Sequence, residues 1–192
     1  MTRIARFLRR FAGGTEGSVI IEGVIMFPVV AWCFVACYSF FDAFHARANN
    51  IRAAFTISDT LTRETDYITP AYMDGLLQLQ RFLMIGSDNA RLRITVFHYD
   101  DDRDRLELDW SQGRGGYAAL TSRQLRDMAD SIPTLAPGDS AILVETESDY
   151  EVPFKVGLAD DTFYEFVVAR PRFSGQLCWN PVEDGANDTA VC

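Results

Sequence analysis

The feature that most constrains this chain is an apolar stretch that runs from Ser18 to about Phe44. A helix needs about 20 mostly apolar residues to cross a bilayer core about 30 Å thick. The stretch reaches that length with one ionisable residue near its start, Glu22, and Asp42 marks its far end. It therefore predicts one membrane-spanning helix over residues 18–44.

The residues before this stretch indicate its direction. Residues 1–17 contain four arginines and one acid, Glu16, which gives this leader a formal charge of +3. Positively charged flanks stay on the cytoplasmic side of a membrane. The pattern predicts a basic cytoplasmic leader at 1–17 and a C-terminal domain, residues 45–192, outside the cytoplasm.

A cleaved secretory signal peptide is the alternative interpretation of the N-terminus. Its apolar core would span about 7–15 residues and would end at a small-residue cleavage site. The apolar stretch here is about twice that length, and the bulky rings of Trp32, Phe34 and Tyr38 occupy the region where such a site would fall. These features favour an uncleaved helix as the anchor.

The residues after Gly17 are acidic. The whole chain has a formal net charge of −9 and the leader has +3, so the remainder carries −12. A surface of this charge repels phosphate backbones, which argues against nucleic acid as a partner. The length beyond the apolar stretch corresponds to one ordinary domain, since domains usually have about 100–200 residues.

Glu22 is the anomaly within the apolar stretch. A charge at the centre of a bilayer costs about 2.5–3.5 kcal/mol. Glu22 lies nearer one edge, where the cost is lower, but anchoring alone does not require it. The residues leave two interpretations open: the carboxylate pairs with a positive charge, or it lies at the headgroup level and extends into water.

Around this glutamate the sequence resembles a known signal. Phe11 in the basic arm, then Gly17-Ser18, Glu22 and Pro28 resemble the class III signal of type IV pilins. The pattern is more similar to the TadE/TadG-like family of the tight-adherence (Flp) pilus machinery, and the resemblance is strong over residues 7–45. Two later motifs resemble the tails of some members of that family: Arg170-Pro171-Arg172-Phe173 and Cys178-Trp179.

This resemblance implies that a prepilin peptidase cuts after Gly17 and leaves a positively charged amine on Ser18. Glu22 would then neutralise such an amine, its own or a neighbour's, and would set the register between packed helices. The implied function is pilus assembly as a minor pseudopilin of the bacterial inner membrane, with a periplasmic domain. The implied partners are other pilus or pseudopilus subunits and inner-membrane assembly proteins. Gly23 departs from the aromatic residue that Flp-type members often carry at that position.

The remaining pattern predicts an α+β fold, in which the long N-terminal transmembrane helix continues into a small antiparallel-sheet domain. Beyond the membrane the helix becomes amphipathic, with Ile51 and Phe55 on its apolar stripe. A second helix is predicted over Ala71–Met84, with Thr69 as N-cap and Pro70 at its first position. The other predicted elements are strands at 92–99, 105–110, 141–147 and 163–169, a turn at 100–104, a loop at 113–116, a helix at 122–131 and a further apolar run at 152–158.

The four cysteines fall into two pairs. Cys178 and Cys192 would close a loop of about 15 residues, worth about 3 kcal/mol of chain entropy. The tail between them is polar and lacks a core of its own, so a disulfide formed in an oxidising compartment is favoured over free thiols. Cys33 and Cys37 lie four residues apart in the apolar stretch and are expected to pack as small hydrophobes.

No arrangement of residues predicts an enzyme. The acidic run Asp100–Asp104 lacks the spacing of calcium-binding loops and is better explained as a solvated turn. His45 and His98 are the only histidines, and neither forms a zinc-binding spacing with the cysteines. Nucleophile, phosphate-loop and metalloprotease motifs are also missing. We therefore predict no catalytic residue, no metal site and no cofactor.

A second function class remains open from the sequence. It is a single-pass, membrane-anchored periplasmic binding or scaffold module that is not incorporated in a filament. The two classes differ in what they require of Glu22, because only packing between helices in a filament or pseudopilus needs a charge at that position.

Processing after Gly17 can be tested by mass. In cells that contain the dedicated prepilin peptidase, the membrane-bound protein should begin at Ser18; in cells without the peptidase it should keep all 17 leader residues. Mass spectrometry of the protein purified from both membranes measures the difference. An intact leader in both preparations would contradict cleavage.

Overall fold

A computed structural model describes residues 18–84, 89–183 and 188–192. Its first element is α1, a single helix of 45 residues, Ser18–Thr62. The helix passes through Pro28 without ending, although a proline removes one backbone hydrogen bond. The predicted α+β class is confirmed, because this long apolar helix precedes a four-stranded antiparallel sheet.

The C-terminal turns of α1 bury one face against the domain core. Ala53, Ala54, Ile57 and Leu61 are fully buried, and they recur at the three- and four-residue steps of one helix face. The placement of Phe55 on the buried stripe was wrong, because its side chain is 59% exposed. The small alanines allow a close approach to neighbouring elements, so they occupy the inner face although Phe55 is the more apolar residue.

The second helix, α2, begins where the sequence places it. It spans Pro70–Leu83, and the side chain of Thr69 accepts a hydrogen bond from the backbone N–H of Tyr72 at 3.3 Å. Proline costs nothing at the first helical position, because a backbone N–H at that position would have no partner within the helix. The buried face of α2 consists of Met73, Leu76, Leu77 and Gln80.

Four strands form one antiparallel sheet in the order β2-β1-β3-β4. Their bounds are Arg91–Asp100 for β1, Arg105–Arg114 for β2, Ser140–Tyr150 for β3 and Asp161–Ala169 for β4. All four predicted strands are confirmed, but β2 continues into the predicted loop at 113–116 because Arg114 still pairs with Leu92. A Cβ at Gly113 would lie 1.9 Å from the carbonyl oxygen of Tyr117, so the following chain can pass this close only beside a glycine.

The helix predicted at 122–131 is confirmed at its start and ends earlier than expected. α3 spans Ser122–Asp127, and a separate 3₁₀ turn follows at Ala129–Ser131. Thr121 and Gln124 form a capping box, in which each side chain accepts a hydrogen bond from the other residue's backbone N–H. Such reciprocal bonds satisfy two donors that the first turn of a helix leaves unpaired.

The sheet separates two hydrophobic cores. One core joins α1 and α2 to one sheet face and includes Ile57, Met73, Ile94 and Ile142. The other joins the opposite face to α3 and the loops around it; its buried members are Phe97, Leu120, Leu125, Ile132, Leu135, Ala141 and Leu143. A sheet with both faces covered explains why β1 is buried on both sides at its centre.

The C-terminal tail is fastened to the domain by backbone bonds and a disulfide. Cys178 and Cys192 are joined, so the pairing that the sequence favours is present. The N–H and C=O groups of Trp179 bond those of Val191 at 2.8 Å each. Ile68 and Asn180 add bonds of 2.9 Å between the tail and the segment before α2.

By its internal contacts the chain divides into two units. One contains the described residues up to Asp42 together with Val152–Leu158, and the other contains 43–151 and 159–192. The first boundary lies close to the predicted end of the membrane segment at 44. The segment Val152–Leu158, which the sequence places in the outer domain, instead groups with the apolar helix.

The buried face of α1 predicts opposite results for two substitutions on the same helix. Ile57→Ala should lower the free energy of unfolding by about 2–5 kcal/mol, because it leaves a cavity in the core. Phe55→Ala removes an exposed side chain and should change it by less than about 0.5 kcal/mol. Urea unfolding of the full chain in detergent, followed by near-ultraviolet circular dichroism, measures both. Equal losses would show that the helix buries a different face.

Candidate functional site

The N-terminal part of α1 presents apolar side chains that the described protein does not cover. Every residue from Ile20 to Phe34 is exposed, and Phe27 and Phe34 are each 75% exposed. Burying one such side chain is worth about 1.5–3 kcal/mol, so this surface is unstable in water. The helix is long and apolar enough to cross a membrane.

The predicted charge-registration residue lies on this surface. Glu22 is exposed, and its carboxylate has no hydrogen bond or ion pair with the residues that the structure describes. Gly23 beside it is open, since an added Cβ would meet no atom within 4 Å. Ser18 is the first residue of α1, one turn before Glu22. Gly17 lies outside the described residues.

The two cysteines of α1 lie on the same exposed surface. Cys33 and Cys37 are free and exposed among the residues that the structure describes. Their packing as small hydrophobes stays a prediction.

A second cluster, which the sequence pattern did not predict, lies on the sheet face opposite α1 and α2. Arg93 on β1 and Glu145 on β3 are cross-strand partners. Two guanidinium nitrogens of Arg93 donate to the two carboxylate oxygens of Glu145 at 2.6 and 2.5 Å. Both side chains are almost fully buried. Such a bidentate pair satisfies both charges in one plane.

Two tyrosines and a backbone carbonyl complete this cluster. The Tyr164 hydroxyl donates to Glu145 at 2.9 Å, and the Arg93 guanidinium lies 4.3 Å from the centre of the Tyr117 ring. Arg93 also donates to the carbonyl of Ala118 at 3.2 Å. Through Tyr117 and Ala118 the segment after β2 contacts the central strand β1, and through Tyr164 the edge strand β4 contacts the central strand β3.

The ionisation behaviour of the cluster follows from burial and the adjacent charges. Burial and the Glu145 carboxylate raise the pKa of Tyr164, and burial with a hydrogen bond to Glu147 raises the pKa of Tyr117. Burial lowers the pKa of Arg93, but its bond to Glu145 outweighs this and the pKa rises above its usual value. Arg93 therefore stays charged and both tyrosines stay neutral, which suits a structural network.

A signal for this cluster was present in the sequence. β1 carries Arg91 and Arg93 at alternate positions, and β3 carries Glu145 and Glu147 in the same spacing. Alternate residues share one sheet face, and the antiparallel register places Arg91 opposite Glu147. Opposite charges in matching alternation therefore indicate which strands pair.

Of the remaining polar groups singled out in the sequence, His45 lies on α1, and His98 and the acidic run Asp100–Asp104 belong to the β1–β2 hairpin. His98 Nδ1 lies 2.7 Å from a carboxylate oxygen of Asp109. Burial raises the pKa of Asp109, although the hydrogen bond with His98 lowers it in part. In the turn, Asp100 accepts bonds from the N–H groups of Asp102 and Arg103. Within the described ranges, no three His, Cys, Asp or Glu residues are grouped as metal ligands would be.

Comparison with known proteins finds no matching family model, no similar curated protein and no similar solved structure. The functional conclusion therefore depends on the residues and geometry of this chain.

Glu145→Gln should lower the free energy of unfolding by about 3–5 kcal/mol, because it leaves the buried Arg93 without a counter-charge. Glu147→Gln is the matched control: it removes the same charge from a partly exposed pair, where the expected cost is under about 1 kcal/mol. Arg91 also keeps its bond to Asp149 at 2.8 Å. Urea unfolding of both variants measures the difference, and equal costs would contradict the structural role of the buried pair.

Proposed function

We propose that this chain is a pilus-assembly component, a TadE/TadG-like minor pseudopilin of the bacterial inner membrane, and not an enzyme. The observation that carries the proposal is the uncovered apolar surface of α1, on which the exposed carboxylate of Glu22 has no partner among the described residues. The motif from Gly17 to Pro28 supplies the resemblance to that family.

The mechanism is packing between helices, with Glu22 as the registration charge. After cleavage, the amine of Ser18 and the carboxylate of Glu22 lie one helical turn apart on each chain. A neighbouring helix can align its opposite charge with either group at the same depth. A slip by one turn, about 5.4 Å, separates the charges, and each charge left unpaired in the bilayer costs up to about 2.5–3.5 kcal/mol.

The residues beside Glu22 suit such an approach. Gly23 adds no side chain, so a neighbouring backbone can come close to the helix at this level, as it does at small residues in other membrane helices. The exposed apolar side chains that follow provide the contact area, which is packed against lipid in the separated subunit and against other helices in the assembly.

The outer domain fits a periplasmic location. A basic leader directs the N-terminus to the cytoplasm and the domain to the opposite side. The Cys178–Cys192 disulfide suits the oxidising periplasm. In this arrangement the partners in the membrane are other pilus or pseudopilus subunits and assembly proteins, and the outer domain confers specificity among them.

Replacing Glu22 distinguishes this proposal from a simple tethered binding or scaffold module. Glu22→Gln should insert and fold normally but lose surface pili, because an unpaired charge weakens each helix contact; a loss of about 2 kcal/mol corresponds to about 30-fold weaker association. Electron microscopy of surface fibres and surface adhesion assays measure the effect. Membrane fractionation confirms insertion.

Glu22→Asp is the matched control, because it keeps the charge and shortens the side chain by one methylene. It should retain more fibres than Glu22→Gln. Normal fibres in the Gln variant would contradict charge registration and would favour the tethered module.

A further inference from the structure

The segment Val152–Leu158, between β3 and β4, contacts the far end of the exposed apolar helix. The rings of Tyr38 and Phe154 meet edge to face, with centroids 6.2 Å apart. The fully buried hydroxyl of Ser39 lies 3.1 Å from the carbonyl oxygen of Val35 and 3.4 Å from that of Phe154, so its one proton is shared between the two acceptors. The segment thus belongs with α1, although it lies more than 100 residues later in the chain.

The position of this contact along α1 corresponds to a membrane boundary. A helix rises about 1.5 Å per residue, so Tyr38 lies about 27 Å along the axis from Ile20. The hydrocarbon core of a bilayer is about 30 Å thick. A span that begins near Ile20 therefore places Tyr38 and its partner Phe154 at the opposite interface, where Trp and Tyr side chains are enriched in membrane proteins.

The composition of the segment changes abruptly from that of its flanks. Residues 152–158 read Val-Pro-Phe-Lys-Val-Gly-Leu and contain no acid, in a chain whose net charge is −9. Glu151 precedes the segment and Asp160-Asp161 follow it. Lys155 is the only lysine of the whole chain. A lysine on an apolar segment can extend its ammonium to lipid phosphates while its stem stays among apolar groups.

The exposed side chains of the segment are those at its tip. Phe154 is 49% exposed, and Pro153 and Lys155 are also exposed. The carbonyl of Phe154 beneath them accepts a hydrogen bond from the N–H of Val156 at 2.9 Å, and it shares the hydroxyl proton of Ser39 with Val35. Backbone groups at membrane depth need such partners, because hydrocarbon supplies none. Gly157 has a φ of +106°, a backbone conformation that favours glycine, and an added Cβ there would meet no atom within 4 Å.

We propose that Val152–Leu158 is a membrane-inserted loop. It places Phe154 and Pro153 in the interfacial region of the leaflet at the C-terminal end of the span, beside Tyr38, and directs Lys155 to the lipid headgroups. Its binding partner is the lipid bilayer itself. The inference depends on the membrane span of α1 that the proposed function includes, and it adds a second point of membrane contact in the same chain.

Spin labels at defined positions test this loop in the full chain. The background is Cys33→Ala with Cys37→Ala, which removes the free thiols and leaves the Cys178–Cys192 disulfide. Single cysteines then carry the label at Phe154, at Val30 within the span and at Asp102 in the exposed β1–β2 turn. The protein is reconstituted in vesicles of phosphatidylethanolamine and phosphatidylglycerol. Collision with oxygen, which concentrates in lipid, is compared with collision with a water-soluble nickel complex.

The oxygen-to-nickel ratio at Phe154 should be several-fold higher than at Asp102 and should stay below the value at Val30, because Val30 lies deeper in the span. Pro153→Cys repeats the measurement with Phe154 in place, so a loop displaced by the label at 154 is recognised. A lipid-like ratio at either position supports the insertion.

Three outcomes would overturn the inference. A lipid-like ratio at Val30 with water-like ratios at both 153 and 154 would reject the inserted loop and leave the span intact. Water-like ratios at all of these positions would reject the span as well. Low accessibility to both reagents at 153 and 154 would mean that protein covers the segment in place of lipid.

Discussion

The main physical constraint on this protein is the apolar surface at the start of α1, which the described residues leave exposed. Side chains from Ile20 to Phe34 are exposed along several turns, and water is an unfavourable solvent for them. The same helix buries a different kind of face nearer its end, where small alanines lie against the domain core. A single helix thus meets two environments, and its sequence changes from uniformly apolar to one-sided at the point where the environment changes.

The domain core is organised around the sheet, both faces of which are covered. One face is apolar and packs on two helices. The other face is divided: an apolar half packs under α3, and a polar half is closed by the Arg93–Glu145 pair with Tyr117 and Tyr164. A buried ion pair of this kind contributes little net stability relative to apolar residues of the same size. Its two hydrogen bonds link β1 to β3, which lie side by side in the sheet.

The proposed assembly function uses the part of α1 whose side chains the described protein leaves exposed. In the proposed function, the exposed carboxylate of Glu22 beside the open Gly23 lies on a surface where identical or similar helices align. The ordered outer domain, closed by a disulfide at its C-terminus, would then present a surface that differs from one subunit type to another.

The sequence by itself determined the features that depend on neighbouring residues: the apolar helix, the four strands, the turn at 100–104 and the Thr69 cap. Periodicity, capping and turn residues act within a few positions, so a short stretch of sequence is enough to predict the elements they form. Only the tertiary structure decided that Phe55 faces outward, that Arg93 pairs with Glu145 52 residues away, and that residues 152–158 lie against α1. Those outcomes depend on which distant surfaces meet, and the packing of the whole chain selects among alternatives that are locally equivalent.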